Sequence, residues 1–332
     1  MPIISKVLFL TTLVVAAIHA QLTLDEEWQK YKFEFNKDYS NSVMGEDSRK
    51  MNFKNTLQII NAHNEQFNKG LVAFEQGLNE FSDWSEDEFS KLNSLKVDLT
   101  LNSSSDEWSA PQGNEYPQNL DWRTRGYVTP VKNQGHCGSC YIFGAIGAVE
   151  GMLKKASKQL VSLSEQNILD CNRPFTCDGG NQIDVYEFII KEGGVDTEKS
   201  YPYIGRKSSK CHFNAKTIGA KVSGYEKIKR GDEDALKAAI ATQGPISISI
   251  QANHKSLMNY KNGIWTEPTC NKEKLDHAVL AVGYGTDPKT KQDYYWVKNS
   301  WGTKWGMSGY FKMARNNGDK CGQASDATFP KP

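Results

Sequence analysis

Seven cysteines, Cys137, Cys140, Cys171, Cys177, Cys211, Cys270 and Cys321, all fall in the last two-thirds of a 332-residue chain whose N-terminus reads as a secretory signal. In an oxidising compartment six of them can be tied in pairs, and the odd count leaves one thiol over. The signal comprises one cation, Lys6, an apolar run from Val7 to Ile18 and the small residue Ala20 before the polar stretch that starts at Gln21. It is too short for a membrane span. No later segment is apolar enough to span one, so the mature chain is expected to be soluble and to have no membrane partner. The spare thiol could be a dimer bridge, a buried apolar side chain or a nucleophile; its neighbours must decide.

The chain is long enough for two or three folding units. From Leu24 to about Asn68 the sequence is polar with a helical period: Trp28, Tyr31 and Phe35, then Arg49, Phe53, Ile60 and Asn64, are spaced to share helix faces. Two amphipathic helices with an exposed loop near Ser40 to Gly45 satisfy the pattern. The Ser-rich stretch from Leu99 to Gly113, with Pro111 near its end, reads as a linker open to proteolysis. Charge sharpens this boundary: residues 21–115 hold 9 Lys plus Arg against 18 Asp plus Glu (net −9), and residues 116–332 hold 30 against 21 (net +9). An acidic segment docked on a basic domain, loosened when carboxylates protonate, accounts for the split.

Beyond Trp122, Cys140 to Lys155 reads as a buried helix, with helical pieces at Ser164 to Asp170 and Asp184 to Glu192. From Val222 onward short β-branched and aromatic runs, Ile246 to Ile250, Ala278 to Tyr284, Tyr294 to Lys298 and Gly309 to Ala314, read as strands of an antiparallel sheet or barrel. A helical half followed by a β half suggests two lobes with a cleft between them.

The block Gln134-Gly135-His136-Cys137-Gly138-Ser139-Cys140-Tyr141 puts Cys140 at the N-terminus of the apolar helix, where free amides and the positive dipole end favour a thiolate. Asp276-His277-Ala278 opens a strand and offers a base. Asn299-Ser300-Trp301-Gly302 follows another strand and offers an acceptor for the imidazole's second N–H. Cys, His and Asn in this order form a nucleophile, a base and an orienter.

With these residues in view, the chain resembles a papain-family cysteine peptidase of the cathepsin L type, over nearly its whole length. The blocks that carry the resemblance are Cys137-Gly-Ser-Cys-Tyr141, Asp121-Trp122-Arg123, Gly126 to Gly135, Cys177-Asp178-Gly179-Gly180 and Asn299 to Gly302. It implies an α+β, papain-like two-lobe fold, with a helical left lobe, an antiparallel β-barrel-like right lobe and an N-terminal helical inhibitory prosegment. Residues 1–20 would be the signal peptide, 21–115 the prosegment and 116–332 the peptidase domain. By the same resemblance Cys140 is the nucleophile, His277 the general base and acid, Asn299 the orienter and Gln134 the oxyanion donor beside the Cys140 amide. The disulfides would be Cys137–Cys177, Cys171–Cys211 and Cys270–Cys321. Arg49, Phe53, Ile60 and Asn64, then Gly77, Asn79, Phe81 and Asp83, match the family's two prosegment motifs, while Gly45 and Thr56 stand where Glu and Asn are usual.

The expected product is a cysteine endopeptidase, made as an inactive zymogen, activated by acid and working through a thioester, with no cofactor or metal. Its partners would be protein or peptide substrates, its own prosegment and cystatin-like inhibitors, with no nucleic acid, and it would act as a monomer. The secretory pathway leads it to the lysosome or to an extracellular or digestive lumen. Substrate contacts are expected from Gly179, Gly180, Asp276 and Trp301, and the S2 pocket from Asn181, Gln182, Ser249, Leu275, Ala278 and Asp326. Four of those six are polar and one is acidic, which predicts a weakened preference for Leu and Phe and acceptance of Arg, Lys or polar side chains.

Tyr141, Ile142 and Gly144 replace the family's more usual Trp, Ala and Ser, and only local repacking is expected. The Cys137-x-x-Cys140 spacing also fits a redox pair or half a zinc site, but no compact βαβ unit and no second close Cys/His pair accompany it. The basic domain carries no arginine run or stacking-aromatic motif of a polyanion binder. His136, His212 and His254 read as ordinary surface residues, and Asn102-Ser103-Ser104 is a glycosylation sequon.

Overall fold

Aromatic side chains at helical spacing organise the N-terminal segment. In the computed structural model, which describes residues 22–40, 44–97, 107–111 and 113–332, helix α1 spans Leu24–Glu34 and α2 spans Gly45–Asn68. The signal region, the Asn102 sequon and most of the Leu99 to Gly113 linker lie outside the described residues. Thr23 starts α1 with a capping box, accepting from the Glu26 amide while the Glu26 carboxylate takes its own. Trp28, Tyr31 and Phe53 form the core between the two helices, and Tyr39 stacks on Trp28 at 5.4 Å. Charged groups close that core: Asp83 accepts from Tyr31 (2.5 Å), Lys37 (2.8 Å) and Tyr39 (3.1 Å), and Arg49 grips Glu88 with two nitrogens (2.8 and 2.5 Å). Strand β1 (Phe74–Gln76), helix α3 (Glu86–Ser90) and strand β2 (Glu107–Trp108) complete the segment. Asn64 reads both polar groups of Gln76, so its side-chain amide pairs with β1 as a neighbouring strand would.

The rest of the chain runs β3 (Leu120–Asp121), α4 (Cys140–Ser157), α5 (Glu165–Cys171), α6 (Gln182–Glu192), β4 (Val195–Asp196), β5 (Ile218–Ala220), β6 (Gly224–Ile228), α7 (Glu233–Gln243), β7 (Ile246–Ile250), α8 (Lys255–Met258), β8 (Tyr260–Trp265), β9 (His277–Thr286), β10 (Asp293–Lys298), β11 (Tyr310–Ala314) and β12 (Ala327–Lys331). Helix α4 is buried on every side from Cys140 to Met152, because one face packs with α5 and α6 and the other meets β9. Gly144 belongs to that contact: a Cβ there would stand 2.8 Å from the Ser247 hydroxyl, so a larger residue needs that side chain to give way.

Ten strands form one sheet in the order β1-β8-β11-β10-β9-β7-β12-β6-β2, with β3 added on β9. The β8–β11 and β2–β6 pairs are parallel and the others antiparallel. The sheet is open, one of the two forms the strand pattern allowed, and lacks the barrel-like closure the resemblance implied. Its two ends are β1 and β2, both from the N-terminal segment. Two further departures have local causes. Helix α7 interrupts the predicted β half, started by the Asp232 carboxylate on the Ala235 amide (2.8 Å) and carried by alanines. Within the predicted linker, Glu107 and Trp108 pair with β6, and Trp108 meets the Phe329 ring edge-on at 5.8 Å.

The disulfides are Cys137–Cys177, Cys171–Cys211 and Cys270–Cys321, with sequence separations of 40, 40 and 51. Each is expected to contribute a few kcal/mol by restricting the unfolded chain. Cys140 is the one free cysteine among the described residues, and it is buried.

Candidate active site

Cys140 is the first residue of α4, and the Ser139 hydroxyl makes no cap bond there, so no side chain competes for the helix's leading amides. His277 opens β9, and Asn299 follows β10. The register Lys298↔Leu280 between these strands brings Asn299 beside His277, 2.8 Å from its Nε2 to the Asn299 Oδ1. Trp301 stacks on the imidazole at 4.8 Å and 25°. The ring's other nitrogen, Nδ1, is buried with no partner.

Gln134 is aimed from behind. Its Oε1 accepts from the Ser300 hydroxyl (2.7 Å), which leaves its amide hydrogens for the Leu92 carbonyl (3.1 Å) and the Cys137 carbonyl (2.9 Å). The Ser300 backbone amide also donates to the Asn299 Oδ1 (2.8 Å), so one residue orients both polar groups. Tyr203 acts beside it, donating to the Gln134 carbonyl (3.0 Å) and sharing a 2.7 Å hydrogen bond with the Ser139 hydroxyl. Sequence reasoning did not find Ser300 or Tyr203. Ser300 could have been suspected from its place next to Asn299; Tyr203 had no signal.

The N-terminal segment lies across this cleft. The Leu95 amide donates to the Asp276 carbonyl (2.9 Å), the Lys96 amide to the Gly180 carbonyl (2.9 Å), and the Asn181 side chain to the Lys96 carbonyl (3.1 Å). Gly179 has φ +101°, and a Cβ there would sit 1.7 Å from the Ser94 carbonyl oxygen; only glycine admits the segment this closely. Tyr141 fills the space the sequence assigned to an aromatic: its ring backs Gly180, and its hydroxyl donates to the Thr176 carbonyl (3.2 Å).

The six expected pocket residues divide. Gln182, Ser249 and Asp326 form a hydrogen-bonded chain, Gln182 Nε2 to Ser249 Oγ at 3.0 Å and Ser249 Oγ to Asp326 Oδ2 at 2.5 Å. Leu275 and Ala278 pack in the cluster that Leu95 joins. Asn181 spends its Oδ1 on the Ile183 amide as the cap of α6. The Asp276 carboxylate turns to the Ala252 and Asn253 amides (2.6 and 3.3 Å), so only its backbone meets the segment.

Burial sets the charge state. It pushes the Cys140 thiol up to about 11, against amides of Ala278, Ser94 and Tyr141 that favour the thiolate. It pushes His277 down to about 4, against the Asn299 hydrogen bond. With the segment seated, both groups are therefore neutral between these values. Iodoacetamide should accordingly modify Cys140 very slowly in the intact precursor at about pH 6 and quickly once the segment is gone; equal rates in the two forms would contradict this account.

A sequence model described as "Papain family cysteine protease" matches residues 116–331. The chain belongs to the papain family. A second model, "Cathepsin propeptide inhibitor domain (I29)", matches residues 28–89. Among curated relatives, a protein of Caenorhabditis elegans named "Cathepsin L-like" is 45% identical over 336 residues, covering 97% of this chain and 98% of its own. The "Cathepsin L" of Sarcophaga peregrina is 44% identical, covering 96% of each. Among solved structures, the digestive procathepsin L2 proteinase from Tenebrio molitor larval midgut superposes with a TM-score of 0.86 at 35% identity, covering 93% of this chain and all of that one. This papain-family member is thus a cathepsin L-like cysteine endopeptidase in zymogen form, with its own propeptide as intramolecular inhibitor.

Proposed function

We propose that Cys140, as a thiolate paired with a His277 imidazolium, attacks the carbonyl carbon of a peptide bond. The Gln134 amide and the Cys140 backbone N–H hold the oxygen that becomes negative. His277 then gives its proton to the leaving amine, and water, deprotonated by His277, splits the thioester and returns the thiol proton. Asn299 keeps the ring in the orientation that leaves Nδ1 for this traffic. The observation that carries the reading is the Gln134 amide held by Ser300 and directed at a carbonyl of the chain lying in the cleft, beside the one free thiol among the described residues. Hydrolysis of a mixed peptide library by the acid-activated chain tests it. Asn299→Ala should cost less than loss of Cys140, because Trp301 still shields the ring; an Asn299→Ala enzyme as inert as Cys140→Ala would assign Asn299 a larger part.

The S2 pocket in this reading is polar. Burial raises the Asp326 carboxyl, while Ser249 and the charges of Lys227 and Arg230 oppose the shift. A basic side chain entering the pocket would pair with it, so Arg or Lys should be accepted there, increasingly as pH rises and Asp326 ionises. Asp326→Ala should return selectivity toward Leu and Phe by about 1–3 kcal/mol. A profile dominated by Leu and Phe and unchanged by the substitution would remove the polar pocket and leave the peptidase reading intact.

We place the mature start near Tyr116 and activation in acid, in the secretory pathway. The solved Tenebrio molitor relatives are titled digestive proteins of the larval midgut, which favours a lumenal role over a lysosomal one. Cystatin-like inhibitors would act on the same cleft once it is vacated.

A further inference from the structure

His136, which the sequence suggests is an ordinary surface residue, is covered on one face by the propeptide. The Trp84 indole lies over its imidazole, ring centroids 5.0 Å apart and planes 12° from parallel. This contact ends a continuous row. Trp301, stacked on His277, takes the edges of Phe81 (5.7 Å) and Phe89 (5.2 Å), and Phe81 in turn meets Trp84 at 5.0 Å. Two domain rings, Trp301 and His136, thus flank the oxyanion donor Gln134, and propeptide aromatics occupy both.

The path of the propeptide tells which half of a substrate would meet them. From Phe89 the chain reaches Leu92, whose carbonyl the Gln134 amide holds, then Ser94, whose amide lies against the Cys140 thiol, then Leu95 and Lys96 on Asp276 and Gly180. The polar pocket with Ala278, Ser249 and Asp326 lies at the Leu95 end and takes the acyl half of a substrate. The aromatic row lies across the thiol from it, where the leaving half must run. The backbone on both sides of His136 is held in advance: the Gly135 amide is tied to the Asn133 Oδ1 (2.9 Å) and Cys137 to Cys177. A ring carried on a held backbone gains a stacking partner at less ordering cost than one on a mobile loop.

We propose that His136 forms a leaving-side subsite that selects an aromatic side chain of the substrate, using the face Trp84 covers in the zymogen. The inference rests on the peptidase reading above. The test uses acid-activated enzyme, its active sites titrated with an epoxide label, and internally quenched peptides with one acyl half. Trp, Phe or Ala is moved through the first three positions after the cut. At one of these positions Trp should raise kcat/KM over Ala by about two- to tenfold, the usual worth of a ring pair. His136→Ala should bring that ratio to within about twofold of unity while leaving kcat/KM for the all-Ala peptide unchanged; His136→Phe, which keeps a ring, should preserve the ratio. No aromatic preference in the parent enzyme, or one that survives His136→Ala, would overturn the subsite and leave the peptidase reading standing. An enzyme inert toward every peptide would overturn that reading and this inference with it.

Discussion

Replacing Cys140 with alanine should yield a precursor that folds, secretes and never processes itself, with peptide turnover reduced by about 10⁴-fold or more. The size follows from the loss of the covalent step. Gln134 and the helix amides would still bind a carbonyl, but no other thiol among the described residues is unpaired. Stability should hold, because the site is enclosed and the exchange removes a single sulfur from a close-packed helix start. Calorimetry and a quenched-peptide assay check both halves. Turnover within tenfold of the parent would remove Cys140 from the mechanism.

Adding His277→Gln to the Cys140→Ala precursor isolates the carboxylates' acid response, because without the thiol a neutral buried His277 would itself take a proton from solvent on opening. Forming the thiolate–imidazolium pair moves a proton from Cys140 to His277 and takes none from solvent, so the pair itself cannot sense acid. Carboxylates must. Burial alone would raise Glu88, but the Arg49 and Ser85 hydrogen bonds outweigh it and hold the carboxyl below its usual range; Lys32 and Trp28 do the same for exposed Glu46. Carboxyls depressed by partners within the propeptide stabilise its fold above their free pKa and weaken it as pH falls through the depressed values, and a loosened propeptide lets go of the domain. Burial shifts Glu80 upward and Asp276 up to about 6, the opposite sense, so mild acid should leave the zymogen shut.

Protection of the Gly77, Leu95 and Lys96 amides, which bond across the interface to Asn259, Asp276 and Gly180, reports opening directly. Corrected for intrinsic exchange, it should hold between about pH 7 and 5 and fall on the order of 100-fold by about pH 3.5, earlier in high salt. Protection unchanged across that range would exclude the electrostatic latch.

The parts of this protein that were legible in sequence are those governed by period and local chemistry. Helix α4, predicted from Cys140 to Lys155, ends at Ser157, and the strand Ile246 to Ile250 is found as predicted, since apolar runs bounded by Gly, Pro and Asn leave few alternatives. What could not be read depends on chain segments far apart. Ser300 reaches Gln134 across 166 positions and Tyr203 reaches it across 69, and beyond Ser300's place next to Asn299 neither bond leaves a pattern in its own neighbourhood. The charge state was hidden for the same reason: a helix N-terminus promises a thiolate, and burial in the closed precursor, which local sequence does not show, pushes the thiol the other way.

The sheet ends in β1 and β2, strands of three and two residues, both supplied by the chain before Tyr116. Once that chain is cut away, the outermost strands become β8 and β6, six and five residues long, with their outer main-chain groups bare. Short terminal strands are one way natural sheets avoid recruiting other chains, and longer unpaired ones invite it. In the active enzyme that protection falls to the charges of Lys261 on β8 and Lys227 on β6. The precursor is therefore the form suited to crowded storage, and the mature enzyme the form most exposed to self-association in concentrated solution.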